Sequence, residues 1–180
     1  YALSRSLGLD LAAAKAAPAV AAALAGEDPS APVFDPGVAA PDLVPLAEAL
    51  ANGDPVRDAV LQALTETAAS ADAKVRARGQ SALLLAVAVS GAAGPDIRGQ
   101  IAGFGVPDGK APVGRSLALE SAGEQKLMGE AALLSLWTCA EAGTAGPSIG
   151  DRVRIVRALH AVGLDADARA MALEGLLALK

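Results

Sequence analysis

Alanine fills about a quarter of this chain, and aromatic side chains make up only 2% of it. That pairing narrows the choice of fold more than any motif does. Sheet sandwiches and barrels draw on β-branched and aromatic residues to cover a pleated surface. Here leucine and alanine must supply the core, and side chains this small let helices approach closely. Hydrophobic residues reach 53% and charged residues 19%, which excludes the apolar-poor composition of a disordered tail. A chain of 180 residues is long enough to bury a core without covalent staples. One cysteine and one histidine exclude a disulfide framework and a zinc cage built from this chain alone.

Helix start and stop signals recur along the chain. Residues 2–25 are rich in Ala and Leu, with Pro18 kinking the segment or opening a second short helix. Pro29, Pro32, Pro36 and Pro41 mark a loop over 26–41. A short helix is expected over 42–52 with Gly53 as its stop, and Asp54-Pro55 reads as an N-cap and first turn of a helix running to Ala69. Asp72 caps a helix over 73–90 that Gly91 ends. Its half from Ala82 to Val89 is apolar on every side and is expected to be buried all round. Residues 91–114 hold seven glycines and three prolines, with at most a helical turn near 95–102. This stretch is the best internal boundary and a candidate contact or hinge. Ser121 and Glu124 match a capping box for a helix over 121–142. Ser148 starts a helix that ends at Gly163, and Asp165 caps a last one to Leu179. The fold expected is all-α, a multi-helix bundle or a short solenoid of helical hairpins. Two parts are expected: 1–53 with N-terminal helices and a Pro-rich loop, and 54–180 with the hairpins.

The run Ile155-Val-Arg-Ala-Leu159-His-Ala-Val-Gly163-Leu-Asp-Ala-Asp-Ala168-Arg-Ala-Met-Ala172-Leu-Glu-Gly-Leu176 resembles a tetratricopeptide-type helical hairpin. Leu159 precedes a short glycine turn, and small residues follow at Ala168 and Ala172, where a partner helix can pack. The resemblance covers residues 149–179 and implies a surface that binds a peptide or partner protein. It transfers no ligand-binding residue to this chain.

Several constellations invite a chemical reading. Gly146-Pro-Ser148-Ile-Gly150 fits the G-x-S-x-G elbow, and Asp151 and His160 follow in hydrolase order. A helix is expected before the elbow where a strand is needed. Ser148 and His160 fall twelve residues apart on one helix, roughly 18 Å, too far for a direct hydrogen bond. Ser148 therefore reads as an N-cap, and no catalytic residue is assigned. Gly103-Phe-Gly-Val-Pro-Asp-Gly109-Lys110 suggests a phosphate loop, but Phe104 stands where Walker spacing needs glycine and Ala111 where it needs a hydroxyl. His160 reads as a boundary or core residue, Cys139 as a buried small hydrophobe, and Trp137 as a core anchor, since Ala131 to Ala140 is apolar nearly all round.

Lys74, Arg76 and Arg78, and again Arg152, Arg154 and Arg157, crowd the first turns of helices, where the dipole disfavours cations. Such charge marks an acidic partner or a solvated face matched by Asp72 and Asp151. Arg152, Arg154, Arg157 and Phe104 are the candidate partner-binding residues. The net charge of −5 argues against nucleic acid, no apolar run is long enough to span a membrane, and no cofactor is implied. The first residue is Tyr, as in a fragment or processed product. The expected function is a non-catalytic interaction or scaffold domain with a protein partner, of bacterial composition, in cytoplasm or periplasm, with room for a homo-oligomer. An exposed apolar stripe on a helix would mark it. A small-molecule or lipid-binding bundle would instead show an apolar cavity near Leu83, Leu134 and Trp137, and a hydrolase would use Ser148.

Overall fold

The computed structural model describes residues 40–91 and 93–179; the helix expected over 2–25 and most of the Pro-rich loop lie outside them. The helix at Val44–Asn52 packs against the one at Asp165–Leu177. The described residues are 75% helical and include no strand. After a 3-10 turn at Pro41–Leu43 come α1 (Val44–Asn52), α2 (Asp58–Ala68), α3 (Ala73–Ser90), α4 (Pro95–Ile101), α5 (Val113–Glu124), α6 (Met128–Ala142), α7 (Ile149–Ala161) and α8 (Asp165–Leu177).

Local chemistry sets most of these boundaries. Asp72 accepts the N–H groups of Lys74 and Val75 at 2.8 and 3.0 Å, capping α3, and Ser148 accepts the Asp151 N–H to cap α7. Three expected boundaries move. The Asp54 N–H donates to the Ala49 carbonyl at 2.9 Å and helps to close α1, while α2 begins only at Asp58, behind an extended stretch, with Arg57 and not Asp54 at its cap position. Asp165 is the first residue of α8, behind Leu164, and does not cap it. Ser121 and Glu124 sit in the last turn of α5 and not at the start of a helix. There Leu127 N–H donates to Ala122 O at 2.8 Å and Lys126 N–H to Gly123 O at 3.2 Å, a Schellman closure with Lys126 at φ 59°. A helical hairpin stands where one long helix is expected.

The core forms around α7, which packs against α3, α5, α6 and α8. Leu83 and Leu85 of α3, Ile155, Val156 and Leu159 of α7, and Leu176 of α8 are fully buried. Small residues set the close approaches. A Cβ on Gly79 would stand 2.6 Å from the Ala68 backbone nitrogen, so the backbones of α2 and α3 approach each other directly there. Ala168 and Ala172 are buried where α8 meets its neighbours. Arg78 holds Asp42 through two contacts of 2.8 and 3.2 Å, tying the 3-10 turn to α3.

The two all-round apolar helices fare differently. In α3, Ala82, Leu83, Leu85, Ala86 and Ala88 are buried, with Leu84, Val87 and Val89 half-buried. In α6, Ala131, Ala132, Ser135 and Thr138 are buried, while Leu133 is 64% and Trp137 53% exposed. Trp137 is therefore not a core anchor. Among the described helices only α5 and α7 flank α6 closely, which leaves its outer face uncovered.

Candidate functional site

The glycine-rich loop and the G-x-S-x-G run meet each other at the start of α7. Asp151 is buried, and its carboxylate accepts the Lys110 N–H at 2.7 Å, the Ala111 N–H at 3.2 Å and the Ser148 hydroxyl at 2.7 Å. The contact is close enough that a Cβ on Gly109 would collide with Asp151 Oδ1, and one on Gly150 would lie 2.6 Å from the Gly109 nitrogen. Backbone N–H groups of the kind that would cradle a phosphate are taken by a side chain of the same molecule. The neighbouring Asp108 carboxyl is held below its ordinary range, first by the Gly109 N–H and then by the Arg154 guanidinium. His160, the third member of the hydrolase pattern, pairs with Asp165 at 2.6 Å, while Ser148 donates to Asp151. The structure places these residues in two separate pairs.

The four candidate partner-binding residues are also separated. Arg152 is buried; its Nη1 donates to the Met171 carbonyl at 3.1 Å and lies 3.5 Å from Glu174. Arg154 bridges Asp108 and Glu120. Arg157 is exposed, and with Arg154, His160, Lys126, Glu120 and Glu124 it lines a cleft of about 460 Å³ between α3, α5 and α7. Phe104, half-buried after α4, does not line that cleft. In the other cluster Arg78 is taken by Asp42 and Arg76 by the Ser70 carbonyl, leaving Lys74 at the surface. Leu83, Leu134 and Trp137, around which a ligand-binding bundle would enclose an apolar cavity, line neither that cleft nor a smaller one of about 160 Å³ beside Pro45, Asn52 and Arg57. Cys139 is half-buried, and burial pushes its thiol above the usual range.

The feature that sequence reasoning places wrongly is the surface of α5 and α6. Among the described residues the large exposed apolar side chains are Val113 (75%), Leu117 (61%), Leu127, Met128, Leu133, Leu136 and Trp137. All belong to this one hairpin. The Arg115 guanidinium lies 4.2 Å from the Trp137 ring centre and grips Glu141 through two contacts of 2.8 Å. The indole N–H donates to Glu141 Oε1 at 2.7 Å. These contacts hold the ring in place, with the Glu141 carboxyl kept below its ordinary range by Arg115 first and the indole second. The Arg115–Glu141 pair joins the start of α5 to the end of α6, so the two run antiparallel. A signal for this face was present in sequence: Leu133, Leu136, Trp137 and Ala140 repeat at helical spacing on the side opposite Ala131, Ser135 and Thr138.

Comparison with protein-family models, with curated proteins and with solved structures finds no match to this chain. No helix among the described residues is long and apolar enough to cross a membrane.

Proposed function

We propose that this chain is a non-catalytic helical interaction module that binds a protein partner through the α5–α6 hairpin. The observation that carries the reading is the confinement of every large exposed apolar side chain among the described residues to positions 113–137. Apolar residues scattered singly over a surface need no explanation, but a cluster on one hairpin is the mark of a contact face. An exposed tryptophan held by an arginine and a glutamate adds to it, since aromatic anchors dominate protein interfaces. The resemblance of α7–α8 to a tetratricopeptide-type hairpin points the same way. Ser148 and His160, each paired with a different carboxylate, lend a hydrolase reading no support.

A photoreactive amino acid placed at Leu133 in cells of the source organism tests this, with Gln62 on the exposed side of α2 as the control position. Position 133 should yield a discrete cross-linked protein that position 62 does not. Equal or absent cross-linking at the two positions would remove the hairpin as the contact face.

A further inference from the structure

α5 and α7 lie side by side and run in the same direction. Arg154 Nε meets Glu120 at 3.4 Å, a Cβ on Gly123 would stand 3.2 Å from Ala158 Cα, and the Lys126 ammonium donates to the Ala161 carbonyl. Residue numbers rise together along these contacts, so the two helices are parallel where they bound the cleft with α3. Beyond the Glu120–Arg154 rung, Glu124 and Arg157 each stand one turn further along their helices. That next rung is open. Both side chains are exposed and both line the cleft, yet among the described residues neither has an ion-pair partner within 4 Å.

The rest of the lining makes room beside these two charges. Ala88, Gly91, Gly123, Ala158 and Ala161 present little or no side chain, which leaves a volume of about 460 Å³. Sites for small molecules span roughly 300 to 1,000 Å³. His160 supplies a fixed wall. Its Nδ1 meets Asp165 at 2.6 Å, and its ring lies so near Gly91 that a Cβ there would collide with Nε2.

We propose that this cleft binds a small zwitterion of amino-acid to dipeptide size, with its carboxylate on Arg157 and its ammonium on Glu124. The lining selects for both signs together. A lone anion drawn to Arg157 would meet the carboxylates of Glu120 and Glu124, and a lone cation drawn to Glu124 would meet Arg157 and Lys126. A ligand carrying both charges satisfies both sides, and a guanidinium can take its carboxylate through two parallel N–H bonds. Arg154 is left out of the contact because Asp108 and Glu120 already hold it. Neither Leu133 nor Trp137 lines the cleft, so the site stands apart from the apolar stripe of α6 and does not depend on it.

Nitrogen-15 spectra of the full chain test this, read at the Gly91 and Gly123 amides in the cleft lining. The probes are L-alanine and Ala-Ala with free termini, each beside an N-acetylated form that keeps only the carboxylate and an amide form that keeps only the ammonium. At least one free probe should shift both amides saturably and bind about tenfold more tightly than either of its blocked forms. Glu124→Gln should erase the advantage of the free amine, and Arg157→Gln that of the free carboxylate. Both positions are exposed, so the fold tolerates either change. Shifts that fail to saturate with both free probes overturn the proposal. So does equal affinity for free and blocked forms, or undiminished affinity in the two variants. None of these outcomes bears on the Leu133 cross-link, which tests the hairpin face separately.

Discussion

A carboxylate with two backbone N–H groups and a hydroxyl on it leaves little room for chemistry, and Asp151 is in that position. Sequence motifs at 103–110 and 146–151 each suggest an open ligand loop, because glycine spacing shows where a backbone can approach something closely. It does not show what approaches. Here each loop is the other's close neighbour, which the sequence of either alone cannot reveal. Ser148 was legible as a cap because capping is local; the Asp151 clasp was not, because Lys110 and Asp151 are 41 residues apart. Asp151→Ala should leave the two N–H groups of the 107–111 loop unpaired and cost about 3 kcal/mol in urea unfolding. A loss no greater than that of a surface substitution would show that the loop is held by other contacts.

At the level of elements, the helices were legible and their joints less so. Asp72, Ser148, Gly91 and Gly163 act where their side chains or backbone freedom indicate, since each works within one turn. The turn between α5 and α6 was hidden because its αL residue is Lys126 and not glycine, so no stop signal is written there. Ser121 and Glu124 fit a capping box by spacing, yet Ser121 lies inside α5, where its hydroxyl accepts from the Gln125 side chain and caps nothing. The contrast is measurable. Asp72→Ala should cost about 1 kcal/mol as a lost N-cap, while Ser121→Ala should change stability by less than about 0.5 kcal/mol. Equal losses in denaturant melts would restore the capping box and join α5 to α6.

Across the whole molecule, the decisive quantity is the number of neighbours each helix receives. Composition indicated an all-α fold because leucine and alanine without aromatics pack helices and little else. It could not rank two helices that are apolar on all sides. Ala82 to Val89 and Ala131 to Ala140 look alike in sequence, but α3 is enclosed by α2, α7 and α8, while among the described helices α6 has only α5 and α7. Leu83 is 0% exposed and Leu133 64%. Truncating Leu83 to Ala opens a cavity among closely packed helices and should cost about 2 to 5 kcal/mol. Truncating Leu133 removes side-chain surface already in water, so Leu133→Ala should stay within about 0.5 kcal/mol of the parent. Both are read from urea midpoints at matched slope, which separates stability from changes in compactness. If Leu133→Ala destabilised the chain as strongly as Leu83→Ala, the outer face of α6 would be covered within the monomer. The apolar stripe would then belong to the core, and the hairpin would have no free surface to offer a partner.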